Sequence, residues 1–179
     1  KTESGETNLS YQGNWRDIFQ NWEALAVSFP NFSTAMISRF LNATTADGYN
    51  PYRVTKDGFE WEAPTPDDPW ANIGYWGDHQ IIYLLKLMEF NKKTHPHFLH
   101  EQLGKRTFVH ANIPYRIKNF ESIKKDPSDT IEFDYVLHDE IEKCVEALGS
   151  DGKLLRNPSG ELLYVSMLEK IFTLTLAKL

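Results

Sequence analysis

The sequence predicts a mainly α-helical fold of antiparallel helix pairs, with only short hairpins in the loops. Three observations predict it. Apolar residues recur at i, i+3, i+4 and i+7 over several long stretches, the spacing that lines one face of a helix. Capping residues, prolines and glycines stand where those stretches begin and end. Strand-like alternation is confined to a few residues around one Asp-Gly pair.

The first helix opens behind Asn14, a natural N-cap, with Asp17 at the third position. Trp15, Ile18, Phe19, Trp22, Leu25, Ala26 and Phe29 form one apolar face, and Pro30 ends the run. A second helix over residues 31–44 turns Met36, Ile37, Phe40 and Leu41 inward, so the two form an antiparallel pair around Pro30. Residues 45–77 then lose the helical period and carry four prolines and four glycines. Loops of that length are uncommon in compact domains and tend to be functional. Within it, residues 52–55 and 59–62 flank Lys56-Asp57-Gly58 and predict a small hairpin.

A third helix starts at Asp78 and runs through Ile81, Ile82, Leu84, Leu85, Leu87 and Met88 to about residue 93. Its apolar residues go round most of the cylinder, which predicts a central position. A short helix over residues 94–103 would stop on a left-handed Gly104. Residues 108–118 read as extended, with Pro114 against a central strand. Phe133, Leu137, Ile141, Cys144 and Leu148 mark a further helix closed by Gly149. Asn157-Pro158-Ser159-Gly160 predicts a turn, and Ser166 with Glu169 a capping box at the last helix. That helix is apolar nearly all round, the mark of a buried helix.

Composition narrows the function. The 179 residues suit one domain that buries roughly 70% of its unfolded surface. A net charge of −6 lacks the basic footprint of a nucleic-acid or anionic-membrane binder. No apolar run approaches the ~20 residues of a spanning helix. A lone Cys144 excludes an intrachain disulfide framework and a cysteine-based zinc cluster, and points to a cytoplasmic compartment. His95, His97 and His100 lack an acidic partner at a metal-binding offset, so no metal and no cofactor is expected. Three Asn-x-Ser/Thr triplets, at Asn8, Asn31 and Asn42, are too few above chance to argue for glycosylation. The polar start and uncapped apolar end read as a single fragment, 1–179, of a larger protein, with an apolar seam through which it would self-associate.

The chemistry-bearing residues gather early. All five tryptophans precede residue 77. Trp61, Trp70, Tyr75 and Trp76 lie in or beside the long loop with Asp57, Glu60, Glu62, Asp67, Asp68 and Asp78, near Arg16 and Arg53. Flat aromatic faces that stack on sugar C–H surfaces, with carboxylates and arginines for hydroxyls, describe a carbohydrate subsite; they equally describe a well-anchored loop. Arg16 and Asp17 occupy a helix start, where the dipole favours anions, although Asp17 also suits a capping role. In Gly74-Tyr75-Trp76-Gly77-Asp78-His79, Asp78 serves either as a site carboxylate or as a cap.

Gly13-Asn14-Trp15-Arg16-Asp17-Ile18-Phe19-Gln20-Asn21 resembles the Gly-Tyr-Arg-Asp helix start of the cellobiose phosphorylase family, and Gly77-Asp78-His79-Gln80-Ile81-Ile82-Tyr83 resembles its later acidic loop. Glycogen-debranching glucosidases of the same (α/α)6-toroid architecture have a similar Trp-Gly-Arg-Asp start. The likeness covers residues 12–93, and the remainder resembles large bacterial proteins of this class. It implies the N-terminal half of a toroid, since five or six helices are predicted against about twelve. It also implies a carbohydrate-active enzyme cleaving glycosidic bonds by hydrolysis or by phosphorolysis, with inorganic phosphate as co-substrate. By matching positions, Arg16 and Asp17 hold the sugar; Trp61, Tyr75, Trp76 and Asp78 join them as the loop's own candidates for substrate binding. Asn21 replaces a family aspartate, and the Trp-Asn-Asp motif that carries the family's general acid does not occur. The isolated chain is therefore expected to be inactive, with Asp78, Glu60 and Glu62 as the carboxylates to consider. The alternative is a non-catalytic glycan-binding or scaffold domain with a degenerate toroid fold.

Overall fold

A computed structural model describes residues 13–50, 53–55, 58–61, 80–127, 129 and 131–177. Among the described residues are seven α-helices and three small antiparallel sheets, the largest with three strands of two or three residues each.

The first strand, β1 (Gly13–Asn14), runs directly into α1 (Trp15–Ser28). A single 3₁₀ turn, Pro30–Phe32, reverses the chain into α2 (Ser33–Asn42), two residues shorter at each end than predicted. Trp15 and Phe19, early in α1, pack on Phe40, late in α2, with ring centroids 4.9 and 5.3 Å apart. The pair is therefore antiparallel. Of the predicted α1 face, Trp15, Ile18, Phe19 and Ala26 are buried, whereas Leu25 and Phe29 lie largely open. The inward stripe is thus narrower than the periodicity suggested.

The hairpin in the long loop is present as β2 (Arg53–Thr55) and β3 (Gly58–Glu60). An unanticipated pairing of β1 with β2 joins it to the start of α1. Arg39 of α2 ties the hairpin down, donating through Nη2 to the carbonyls of Thr55 (2.9 Å) and Gly58 (3.1 Å).

The next helix, α3 (Gln80–Thr94), crosses the pair on its other side. Tyr83 stacks on Phe19 at 5.3 Å, and Asn91 bonds Ser33 at the far end. Leu84 and Leu87 are buried, but Ile82 and Leu85 are each 55% exposed. The predicted central position is corrected: one side of α3 faces an open apolar groove of about 370 Å³.

After α4 (Phe98–Gln102) the chain enters β4 (Arg106–Phe108). Gly104 is not left-handed; α4 closes in the right-handed region at Leu103. Residues 108–113 form a buried strap, with Phe108, Val109, His110, Ala111 and Ile113 all inside. Their backbone groups are satisfied on both flanks. Ala111 N–H donates to Thr44 O (2.9 Å), and Leu155 N–H to His110 O (2.8 Å). Val109 N–H donates to the Asn42 side chain at 3.0 Å, which gives that asparagine a structural task.

The second half adds β5 (Tyr115–Ile117), α5 (Phe120–Lys125), β6 (Ile131–Phe133), α6 (Tyr135–Leu148), β7 (Val165–Ser166) and α7 (Met167–Leu176). β5 pairs with β6 and β4 with β7. α5 was not legible: its six residues are too few for a period, and none is buried. α6 is capped by Asp134 and presses on a 3₁₀ turn over Gly149–Lys153. A Cβ at Gly152 would lie 2.5 Å from the α6 backbone, so glycine permits that approach. Within α6 only Ile141 is buried, while Cys144 and Leu148 are exposed. Gly160 has φ +82° in the predicted turn, and the Ser166–Glu169 capping box is fully formed. α7 is not buried all round: Met167, Lys170 and Leu174 face in, while Leu168, Phe172 and Leu176 stay exposed. No described helix is long and apolar enough to cross a membrane.

Candidate functional site

Of the residues singled out from the sequence, Arg16 and Asp17 open α1, and Glu60 and Trp61 lie on and after the strand two places from β1 in the sheet that leads into it. Asn14 lies opposite Arg53, and Arg53 opposite Glu60, so one row across the β1–β2–β3 sheet leads straight to the first turn of α1. That row sets the backbone of Arg16 and the half-buried side chain of Asp17 beside the hairpin. The amide N–H groups of the first helical turn carry partial positive charge, which favours an anionic or hydroxyl-bearing ligand at this end. Asn21, one turn on, donates its side-chain amide to the Asp17 carbonyl at 3.0 Å.

Trp61 follows β3 directly and is half-buried. Its indole N–H donates to His138 Nδ1 of α6 at 3.3 Å, and the two rings meet nearly perpendicular at 6.0 Å. Lys153 Nζ stands 5.2 Å over the Trp61 ring while donating to Phe59 O at 3.2 Å. One face of the indole is thus taken by a cation and its polar edge by an imidazole. Phe133, Tyr135 and Tyr115 continue the aromatic surface, with Phe133 4.8 Å from Tyr135 and 5.5 Å from Tyr115. Glu60 adds a half-buried carboxylate beside it.

Glu62, Tyr75, Trp76 and Asp78 lie outside the described residues, as does most of the long loop. Among the described residues no group of three or more His, Cys, Asp or Glu side chains is placed to hold a metal ion.

Sequence reasoning missed His138 and Lys153, because partners 77 and 92 residues from Trp61 leave no local pattern. It also missed a second polar cluster that did leave one. Lys170 stands three residues after Met167 and four before Leu174, on a stripe where an apolar residue was due. It is fully buried, and Nζ lies 2.8 Å from both Thr44 O and His110 Nδ1. Burial pushes the Lys170 amine down to about 6. Burial, reinforced by the charge of Lys170, pushes the His110 imidazole down to about 4. Lys170 is closed to solvent and His110 nearly so, which does not place the pair to act on a substrate.

No protein-family model matches the chain, and no curated protein matches it.

Proposed function

We propose that this chain forms one rim of a carbohydrate site in an (α/α)6-toroid enzyme that acts on glycosidic bonds. One observation carries the reading. α1 and α3 are both antiparallel to α2, so their N-terminal ends lie at one end of the bundle, and the β1–β2–β3 sheet adds Glu60 and Trp61 to that end. Helix hairpins with their helix mouths on a common rim are the repeating unit of such toroids.

In this reading Arg16 and Asp17 hold sugar hydroxyls, and Trp61 offers the part of its ring not taken by Lys153 as a stacking surface. Tyr75, Trp76 and Asp78, which come shortly before α3 in sequence, are assigned to the same site by the sequence and the resemblance alone. Hydrolysis with inversion needs an acid and a base carboxylate ~6.5–9.5 Å apart. Phosphorolysis replaces the base by inorganic phosphate, which Arg16 and Arg53 suit as charge-assisted donors. Either route needs a general acid within hydrogen-bond reach of the leaving oxygen.

The test is an assay of the chain on aryl glycosides, with and without phosphate, alongside saccharide binding. The reading expects saturable binding without turnover. Turnover by the chain would place the acid within it, with Asp78, Glu60 and Glu62 the first to replace. Absence of both binding and turnover would overturn it. Binding with no turnover in any longer protein containing this chain would instead favour the non-catalytic glycan-binding domain.

A further inference from the structure

We propose that the buried Lys170–His110 contact is an acid-released latch: it holds α7 on the turn at residues 44–48 only while both side chains are uncharged, and proton uptake frees the helix.

Donors and acceptors around Nζ set the condition. A neutral amine has two N–H groups and an ammonium has three. Lys170 Nζ has two partners at 2.8 Å: Thr44 O, which accepts, and His110 Nδ1, which accepts in the tautomer that carries the ring proton on Nε2. A third proton would have no partner, in a place fully closed to water. His110 Nδ1 accepts only as a neutral imidazole, so protonating it removes one of the two acceptors and sets two cations in contact.

Little nearby compensates: hydrogen bonds to the backbone of Thr45 and Thr44 and the charge of Glu169 favour a charged His110, but burial and Lys170 outweigh them. On α7 itself Glu169 is committed to the Ser166 N–H and to Arg106 at its exposed edge. On the 44–48 turn Asp47 is exposed and engaged by the Thr45 hydroxyl. The strap offers His110, β4 before it offers exposed Arg106, and the α3 residues that share a groove with α7, Leu84 and Met88 among them, are apolar. Among the described residues no carboxylate pairs with Lys170. Unpaired buried charge is the costliest arrangement a protein interior holds.

The sign follows from linkage. Lys170 released to water regains its ordinary value of 10.5, against about 6 when held. Between those values opening takes up one proton, so each unit drop in pH multiplies the opening constant about tenfold. Below about 6 this contribution is complete. His110, held at about 4 against its ordinary 6.5, then carries the effect further down.

Hydrogen exchange of the full chain at pH 6, 7 and 8, corrected for intrinsic rates, tests the latch. Expected is an opening constant for α7 amides that rises about 100-fold from pH 8 to pH 6 and exceeds that of α2 throughout. The variant Lys170→Met should flatten the slope between pH 8 and pH 7, leaving only the smaller His110 contribution toward pH 6. Should that variant fail to fold, a ¹³C titration of the Lys170 Cε in the unaltered protein decides, with a midpoint near 6 expected. A pH-independent α7, the same slope in Lys170→Met, α7 and α2 opening as one event, or a Lys170 midpoint above 9 would each overturn the proposal.

Discussion

Asn91, in the last turn of α3, donates its side-chain amide to the hydroxyl of Ser33, the first residue of α2, at 2.8 Å. Ser33 passes the chain on to Pro30 O at 2.7 Å, and both side chains are fully buried. This contact between the end of one helix and the start of another makes α2 and α3 antiparallel. With the turn at Pro30–Phe32 it brings the beginnings of α1 and α3 to one end of the bundle, which is the geometry the proposed site needs.

Ser33→Ala should therefore destabilise the protein by about 1–3 kcal/mol, because the Asn91 amide is left buried without an acceptor. The double variant Ser33→Ala, Asn91→Leu should recover part of that loss. Urea unfolding checks both, read as a shift in midpoint at unchanged slope.

Gly48 has φ +85°, and a Cβ there would lie 2.6 Å from Ala177 Cβ and 2.7 Å from Thr173 O. Gly48→Ala should cost about 2 kcal/mol or more, combining left-handed strain with a clash against the C-terminal end of α7. Loss of amide protection confined first to α7 would locate the damage. A midpoint equal to that of the unaltered protein would show that α7 does not seat on this turn.

The depressed Lys170 gives stability an unusual pH profile. Its contribution is complete only above 10.5 and is lost as pH falls toward about 6. Stability should therefore rise by about 1.4 kcal/mol per pH unit across the range 7–9. Lys170→Met should flatten that rise and exceed the unaltered protein most at the lower end. Urea unfolding at pH 7, 8 and 9 is the measurement, and parallel profiles for the two proteins would contradict it.

Much of the helical framework was legible because local chemistry wrote it. The apolar stripe from Trp15 to Ala26, the Ser166–Glu169 box and the glycines at 149 and 160 each act within a few residues. Errors arose where tertiary contact overrode local pattern. Ile82 and Leu85 continue the apolar run of α3 yet stay exposed, since periodicity reports composition and not what arrives to cover it. The pairing of Gly13 with Val54 and of Trp61 with His138 spans 41 and 77 residues, beyond any local signal. Arg16 and Asp17 drew notice as a charged pair at a helix start; that a sheet links this start to the strand of Glu60 left no local signal.

The most direct test of the proposed carbohydrate site is an NMR titration of the full chain with a panel of hexose mono- and oligosaccharides. A half-enclosed rim should bind weakly, with Kd on the order of 1 mM, or about −4 kcal/mol. Expected are saturable shifts centred on the Trp61 indole N–H and the amides of Asp17 and Glu60, with the two amide shifts retained in Trp61→Phe and abolished in Trp61→Ala. No saturable shift with any saccharide, or shifts centred away from the start of α1 and β3, would contradict it.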